Sequence, residues 1–277
     1  MLLFIRHYLL AVQFFTRIPI TGRLADWVGF SPAMLRASAA HFPGVGVLVG
    51  LATAVAMGGL LMCLPASVFT PLVAAIFSTT LGVLLTGAFH EDGLADVADG
   101  LGGSLRRDRA LEIMKDSRIG AFGAIALVLA LLCKVSLLAL LGSLSISVVC
   151  TALFLAHVLS RFWPLVVIRL LPHVGDVAGS KSKPLADQIS LPALLAAALW
   201  CAGALWMVLC AHGSAGVALA VPLLGALLAS GLAFIVLLRW FNQRLQGFTG
   251  DCLGTTQQVC EIAFYLGWAM AWQGAGV

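Results

Sequence analysis

The sequence predicts an all-α, polytopic helical membrane protein: about seven spanning helices, an N-terminal helix lying in the membrane interface, and an acidic helical hairpin on the cytoplasmic side. Three observations lead there. Hydrophobic residues make up 61% of the 277 and charged residues 10%, where a soluble domain carries about 45–50% and about 25%. The mean hydropathy is +1.04. The apolar residues come in long runs rather than in the alternation of a membrane β-barrel, so each backbone polar group is satisfied inside its own helix. Together these exclude a soluble enzyme, a disordered chain and a secreted disulfide scaffold, and they describe one integral membrane domain over 1–277.

The chain opens with MLLFIRHYLLAVQFFTRIPI, an apolar stretch broken by Arg6, His7, Gln13 and Arg17. A cleavable signal peptide has an uninterrupted apolar centre and a small-residue cleavage site. This segment instead reads as an amphipathic interfacial helix ending near Pro19. Seven segments then approach the roughly 20 apolar residues a span requires: 42–64, 67–89, 119–141, 143–160, 192–211, 216–238 and 258–273. The last is short and polar at Glu261. Residues 161–171 extend the fourth span or bend it at Pro164.

Fifteen of the sixteen Lys and Arg residues fall on one side of these spans; Lys134 lies within one. The opposite loops, 65–66, 142 and 212–215, carry none. By the positive-inside rule the basic side is the cytoplasm. Seven of the twelve acids lie between Glu91 and Asp116 on that same side. Polar chemistry confined to one face suits an enzyme at the inner surface better than a transporter, which needs access from both sides. The net charge of +4 follows from cytoplasmic Lys and Arg and implies no nucleic-acid partner. The seven cysteines form no C-x-x-C pair and read as small hydrophobes. Lys134 reads as structural, snorkelling or pairing with a carbonyl, with an acid near the site as the alternative partner.

The segment 90–123, HEDGLADVADGLGGSLRRDRALEIMKDSRIGAFG, carries the chemistry. Asp92, Asp96 and Asp99 are spaced i, i+4, i+7, within about 60° of one helical face. Three like charges so placed repel one another, and a divalent cation removes the repulsion; Mg²⁺ favours carboxylate oxygens together with substrate phosphates. Asp108, Glu112 and Asp116 form a second acidic stripe interleaved with Arg106, Arg107, Arg109, Lys115 and Arg118. Acids suited to a metal thus alternate with bases suited to phosphate. A solvated, salt-bridged loop is an equal reading for Asp108, Glu112 and Lys115. The first three acids follow an apolar run directly, where a carboxylate is costly unless something pairs with it. His90 precedes them immediately. Far along the chain, GFTGDCLG (247–254) offers Thr249 and Asp251 among three glycines whose backbone freedom would expose N–H groups to a phosphate.

HEDGLADVADG (90–100) and RRDRALEIMKDSRIGAFG (106–123), with FFTRIPI (14–20), HFPGVGVLVG (41–50), AHVLSR (156–161) and GFTGDCLG (247–254) in the same order, resemble the cobalamin synthase (adenosylcobinamide-GDP ribazoletransferase) family over nearly the whole chain. The resemblance implies a transferase that joins adenosylcobinamide-GDP to α-ribazole, or its 5′-phosphate, to give adenosylcobalamin, or its 5′-phosphate, and GMP. It implies Mg²⁺ as cofactor and a multi-pass place in the bacterial inner membrane, with the active site facing the cytoplasm. Its partners are those small molecules and the lipid bilayer; a homo-oligomer is left open. Carried onto this chain, Asp92, Asp96, Asp99 and Asp116 are the expected Mg²⁺ ligands, with Asp92, Asp96 and Asp116 catalytic. His90, Arg106, Arg107, Arg118, Arg161, Thr249 and Asp251 are expected at the substrate. One departure stands out: His173 and Val174 follow Pro172 where the family often has an aromatic-Ala-Arg element, which leaves Lys181 or Lys183 as substitutes. A CDP-alcohol phosphatidyltransferase-like enzyme is the first alternative, but D-G-L-A is followed by Asp96 rather than Arg, and no Asp stands three residues before Asp92. A cation or corrinoid transporter is the second, and the chain has no internal repeat to support it.

Overall fold

A computed structural model describes residues 2–175, 188–213 and 219–272. The expectations placed on Asp176, Lys181, Lys183, Asp187 and Ser214 lie outside the described residues.

Helix α1 (Leu2–Phe15) is exposed at Leu2–Ile5 and buried at Leu10, Ala11, Val12 and Phe15, as an interfacial helix docked by one end should be. Two short helices follow, α2 (Gly22–Val28) and α3 (Pro32–Ser38); the Ser31 hydroxyl caps α3 by accepting from the Met34 N–H at 3.1 Å. A 3₁₀ turn leads into α4 (Phe42–Cys63), and the apolar stretch runs unbroken over Pro32–Cys63.

Helix α5 (Thr70–Thr86) ends at Gly87, which takes a left-handed φ of 66°. A side chain there would also collide with Arg17, whose backbone N–H donates to Leu85 O at 2.7 Å. The chain turns 89° into α6 (Phe89–Gly103). That bend means α6 cannot continue the path of α5 through a bilayer. Helix α7 (Arg107–Ile113) folds back on α6, with Met114 and Ala110 against Gly100. This pair is the expected acidic hairpin.

Helices α8 (Ala121–Leu144), α9 (Ile146–Leu159) and α10 (Trp163–Leu170) come next; α9 and α10 together act as one apolar stretch bent just before Pro164. The central element is the α9–α10 stretch, Ile146–Leu170, whose most apolar part is 83% buried, against 17% for α8. Helix α8 turns Ile125, Val128, Leu129 and Leu132 outward, as a lipid-facing helix does. Helices α11 (Leu191–His212) and α12 (Ala220–Leu245) are similarly apolar. Helix α13 (Gly250–Ala271) pairs with α12 as a hairpin, in close contact at Gly225 and Gly267.

Among the described residues five helices are long and apolar enough to cross a membrane, six if the bent α5–α6 pair counts as one span. Seven were expected. The expected segment 258–273 belongs to α13, a longer helix that is largely buried and carries Gln257, Gln258 and Glu261 inward. Polar residues inside the bundle, rather than shortness, keep it from reading as a span.

Candidate active site at the crossing of α6 and α13

The crossing of α6 and α13 depends on two glycines. A Cβ at Gly93 would sit 2.8 Å from the Asp251 carbonyl oxygen, and one at Gly254 would sit 3.1 Å from that of His90. The Thr255 hydroxyl lies between the helices, 3.0 Å from Gly93 O and 2.9 Å from Asp251 O. The first turn of α13 is therefore pressed onto the acidic face of α6, and residues far apart in sequence share one site.

Asp92 is exposed, Asp96 and Asp251 are partly buried, and Asp99 is buried. Burial, then the charges of Asp251, Asp92 and Asp99, push the Asp96 carboxyl up to about 7. The Asp251 carboxyl is also raised, first by burial and then by Asp92, while the Thr249 hydroxyl, donating to Asp251 Oδ2 at 3.2 Å, pulls the other way. Asp92, Asp96 and Asp251 form a cluster of mutually repelling carboxylates at the end of the bundle.

The other expected residues fall in different places. The Asp99 carboxylate accepts from the Gly120 N–H at 2.7 Å and the Gly123 N–H at 2.8 Å. It thereby satisfies the free donors that begin α8. Asp116 stands in the loop after α7, chelated by the Arg118 guanidinium at 3.0 and 3.2 Å, which holds its carboxyl down at about 2. It is not among the charges acting on Asp96. Arg107 donates to Leu245 O at 2.7 Å, and Arg244 reaches Leu101 O and Ser104 O, so these two cations tie the α6–α7 hairpin to the end of α12. Arg106 and Arg118 are exposed, and neither is among the charges acting on Asp96 or Asp251. The glycines of 247–254 do not adopt left-handed angles. Gly250 and Gly254 are already helical, and Gly247 lets the chain pass the Pro172 carbonyl. What this segment offers an anion is the N-terminal turn of α13.

His90 and Arg161 sit deeper, each 1% exposed. The His90 ring stacks on Phe42 at 5.7 Å, and the Arg161 guanidinium lies over the same ring at 5.6 Å. Arg161 Nη1 donates to His157 O at 2.7 Å. Beyond them is a polar cluster that sequence reasoning missed. Lys134 Nζ meets Glu261 Oε1 at 2.7 Å, Tyr265 donates to Glu261 at 2.9 Å, and Gln258 donates to Glu91 at 2.9 Å. The signals available were Lys134, a cation in an apolar run, and Glu261, an acid at the last expected span. Polar chemistry is therefore not confined to one face.

The donor chemistry of Asp92, Asp96 and Asp251 fits Mg²⁺: hard oxygens whose charges repel until a cation neutralises them. Among the described residues no group of three or more His, Cys, Asp or Glu converges closely enough to hold a metal alone. An ion here would take one or two carboxylates and complete its shell with water and substrate phosphate, as Mg²⁺ ordinarily does.

The family model for cobalamin-5-phosphate synthase matches residues 7–269. A protein of Albidiferax ferrireducens named adenosylcobinamide-GDP ribazoletransferase is 67% identical over 275 residues, covering 96% of this chain and 98% of its own. One of Polaromonas naphthalenivorans with the same name is 66% identical over 284 residues, covering 98% and 100%. A third of that name, from Vibrio cholerae, is 40% identical over 260 residues, covering 94% and 91%. No solved structure matches the chain.

Proposed function

The chain belongs to the cobalamin-5-phosphate synthase family, and from that premise we propose that it joins adenosylcobinamide-GDP to α-ribazole or its 5′-phosphate with release of GMP. The observation that carries the reading at the level of residues is the meeting of Asp251 with Asp92 and Asp96 across the α6–α13 contact.

The reaction moves a phosphoryl group. A ribose hydroxyl of the ribazole other than the 5′, which the 5′-phosphate substrate and product keep esterified, attacks the phosphorus that bears the corrinoid, and the bond to GMP breaks. Such transfers depend on positioning and on neutralising charge. Asp92 and Asp251 would hold Mg²⁺. Bound there, the ion neutralises charge on the phosphates. Asp96, with a proton affinity near neutrality, is matched to taking the proton from the attacking hydroxyl. The free N–H groups of the first turn of α13 face the same cluster and suit a phosphate oxygen. Exposed Arg106 and Arg118 suit the outer phosphate and the guanosine side of the substrate. Asp99 acts as a strut that fixes α8 to α6, and Arg107 as a clamp on α12.

The single-sided Lys and Arg distribution supports a bacterial inner-membrane position with this end of the bundle in the cytoplasm. The test is GMP release from adenosylcobinamide-GDP and α-ribazole by membranes containing the chain, with and without a chelator. Release that needs both substrates and stops on chelation is expected. Turnover of CDP-alcohol substrates in its place would overturn the assignment.

A further inference from the structure

A cavity opens at the N-terminal end of α1. Eleven residues of helix separate Phe4, at this cavity, from Phe15, beside the first turn of α6; at 1.5 Å per residue that is about 16 Å. The cavity encloses about 830 Å³ and is lined by His7 of α1, Arg36 of α3, Arg169 of α10 and the Ser190 cap of α11, among others. Arg36 and Arg169 are exposed and have no hydrogen-bond or ion-pair partner among the described residues. Among the described residues no Asp or Glu lines the cavity. Two guanidinium groups in one concave site, without an acidic partner among those residues, suit a phosphate-like anion.

The cavity continues into an apolar groove of about 320 Å³ that shares Phe4 and Ala196 with it. The groove runs along α11 past Leu199, Trp200, Gly203 and Met207. A free phosphate or nucleotide has no use for it; an acyl chain does. Its floor is rigid: Trp200 stacks on Tyr8 at 5.4 Å and donates to His41 Nδ1 at 3.1 Å. A Cβ at Gly203 would meet nothing within 4 Å, so that stretch of groove is open. Helix α11 is one of the helices apolar enough to span, and α1 carries Arg6 and His7 among apolar residues, a pattern that suits a headgroup-level place for the polar cavity and a hydrocarbon-facing groove.

We propose that this site binds one anionic phospholipid, its phosphate held between Arg36 and Arg169 and one acyl chain lying in the α11 groove. The site is separate from the carboxylate cluster and does not depend on the reaction assigned to it.

The experiment reconstitutes the full chain into phosphatidylcholine nanodiscs holding about one-fifth phosphatidylglycerol and counts co-purifying lipids by native mass spectrometry. The wild type is expected to retain one phosphatidylglycerol in preference to phosphatidylcholine. The double variant Arg36→Gln/Arg169→Gln changes two exposed residues and should lower that retention about tenfold or more. Gly203→Leu fills the groove from an open position and should lower it too, with both arginines intact. Inorganic phosphate in excess should not displace the lipid. Equal retention in wild type and double variant, or equal retention of the two lipids, would overturn the proposal. Displacement by inorganic phosphate with Gly203→Leu unaffected would make this a site for a free phosphate and equally overturn it.

Discussion

At the scale of single residues the account turns on where each carboxylate ends up. Asp92, Asp96 and Asp99 share a face of α6 as their spacing requires, yet they do different things. The i, i+4, i+7 pattern was legible; the division of labour was not, because it is set by neighbours from other helices. Asp99 meets the N–H groups of Gly120 and Gly123, and Asp96 meets Asp251. Asp96→Asn should abolish turnover while leaving the chain inserted. The sign of its effect on stability follows from proton binding. A carboxyl raised to about 7 when folded holds protons more tightly than in the unfolded chain. It therefore costs no stability below its unfolded value and progressively more as pH rises toward 7. Without Mg²⁺ the Asp96→Asn protein should thus melt higher than the wild type at pH 8 and alike at pH 4, by thermal melting in detergent. If Asp96 also takes the reaction's proton, wild-type turnover falls as pH drops through the value of its carboxyl, which Mg²⁺ on Asp92 and Asp251 brings below the metal-free value of about 7. The decline approaches tenfold per pH unit.

At the scale of elements, α6 and α7 were readable from charge spacing, and α4, α8, α11 and α12 from uninterrupted apolar runs. Helix α13 was read only in part. Its inward polar residues belong to a cluster whose other members, Lys134, His157 and Glu91, come from three other helices, so no local pattern could reveal it. Lys134 is 4% exposed and Glu261 is fully buried. Removing one partner strands the other charge, so Lys134→Met alone should cost about 3–5 kcal/mol. The double variant Lys134→Met/Glu261→Gln should recover part of that loss, because no unpaired charge remains. Melting temperatures of the two singles and the double, taken as a cycle, check this; strictly additive losses would mean the pair is not coupled. Asp99→Ala should loosen the start of α8 by about 1 kcal/mol, the usual value of a helix cap, seen as faster amide exchange over residues 121–124.

At the scale of the whole molecule, the bundle puts its acids, the start of α13 and most of its cations at one end, and presents leucine-rich faces of α8, α11 and α12 around its sides. The expected orientation rests on Lys and Arg alone, since that asymmetry is a property of sequence. The number of spans was not, because the 89° turn at Gly87 and the burial of α13 arise only on packing. In a cysteine-free background, a cysteine placed at Ser143 should react with a membrane-impermeant thiol reagent added outside, and one at Ser104 should not. Labelling of position 104 from outside would reverse the topology. The central claim is that α13 completes an active site begun on α6. It is tested most directly by GMP release in membranes carrying Asp251→Ala, measured across a Mg²⁺ titration. The account predicts at least about a tenfold loss, about 1.4 kcal/mol in barrier, with a raised Mg²⁺ requirement and normal insertion. Turnover and Mg²⁺ dependence equal to the wild type would contradict it.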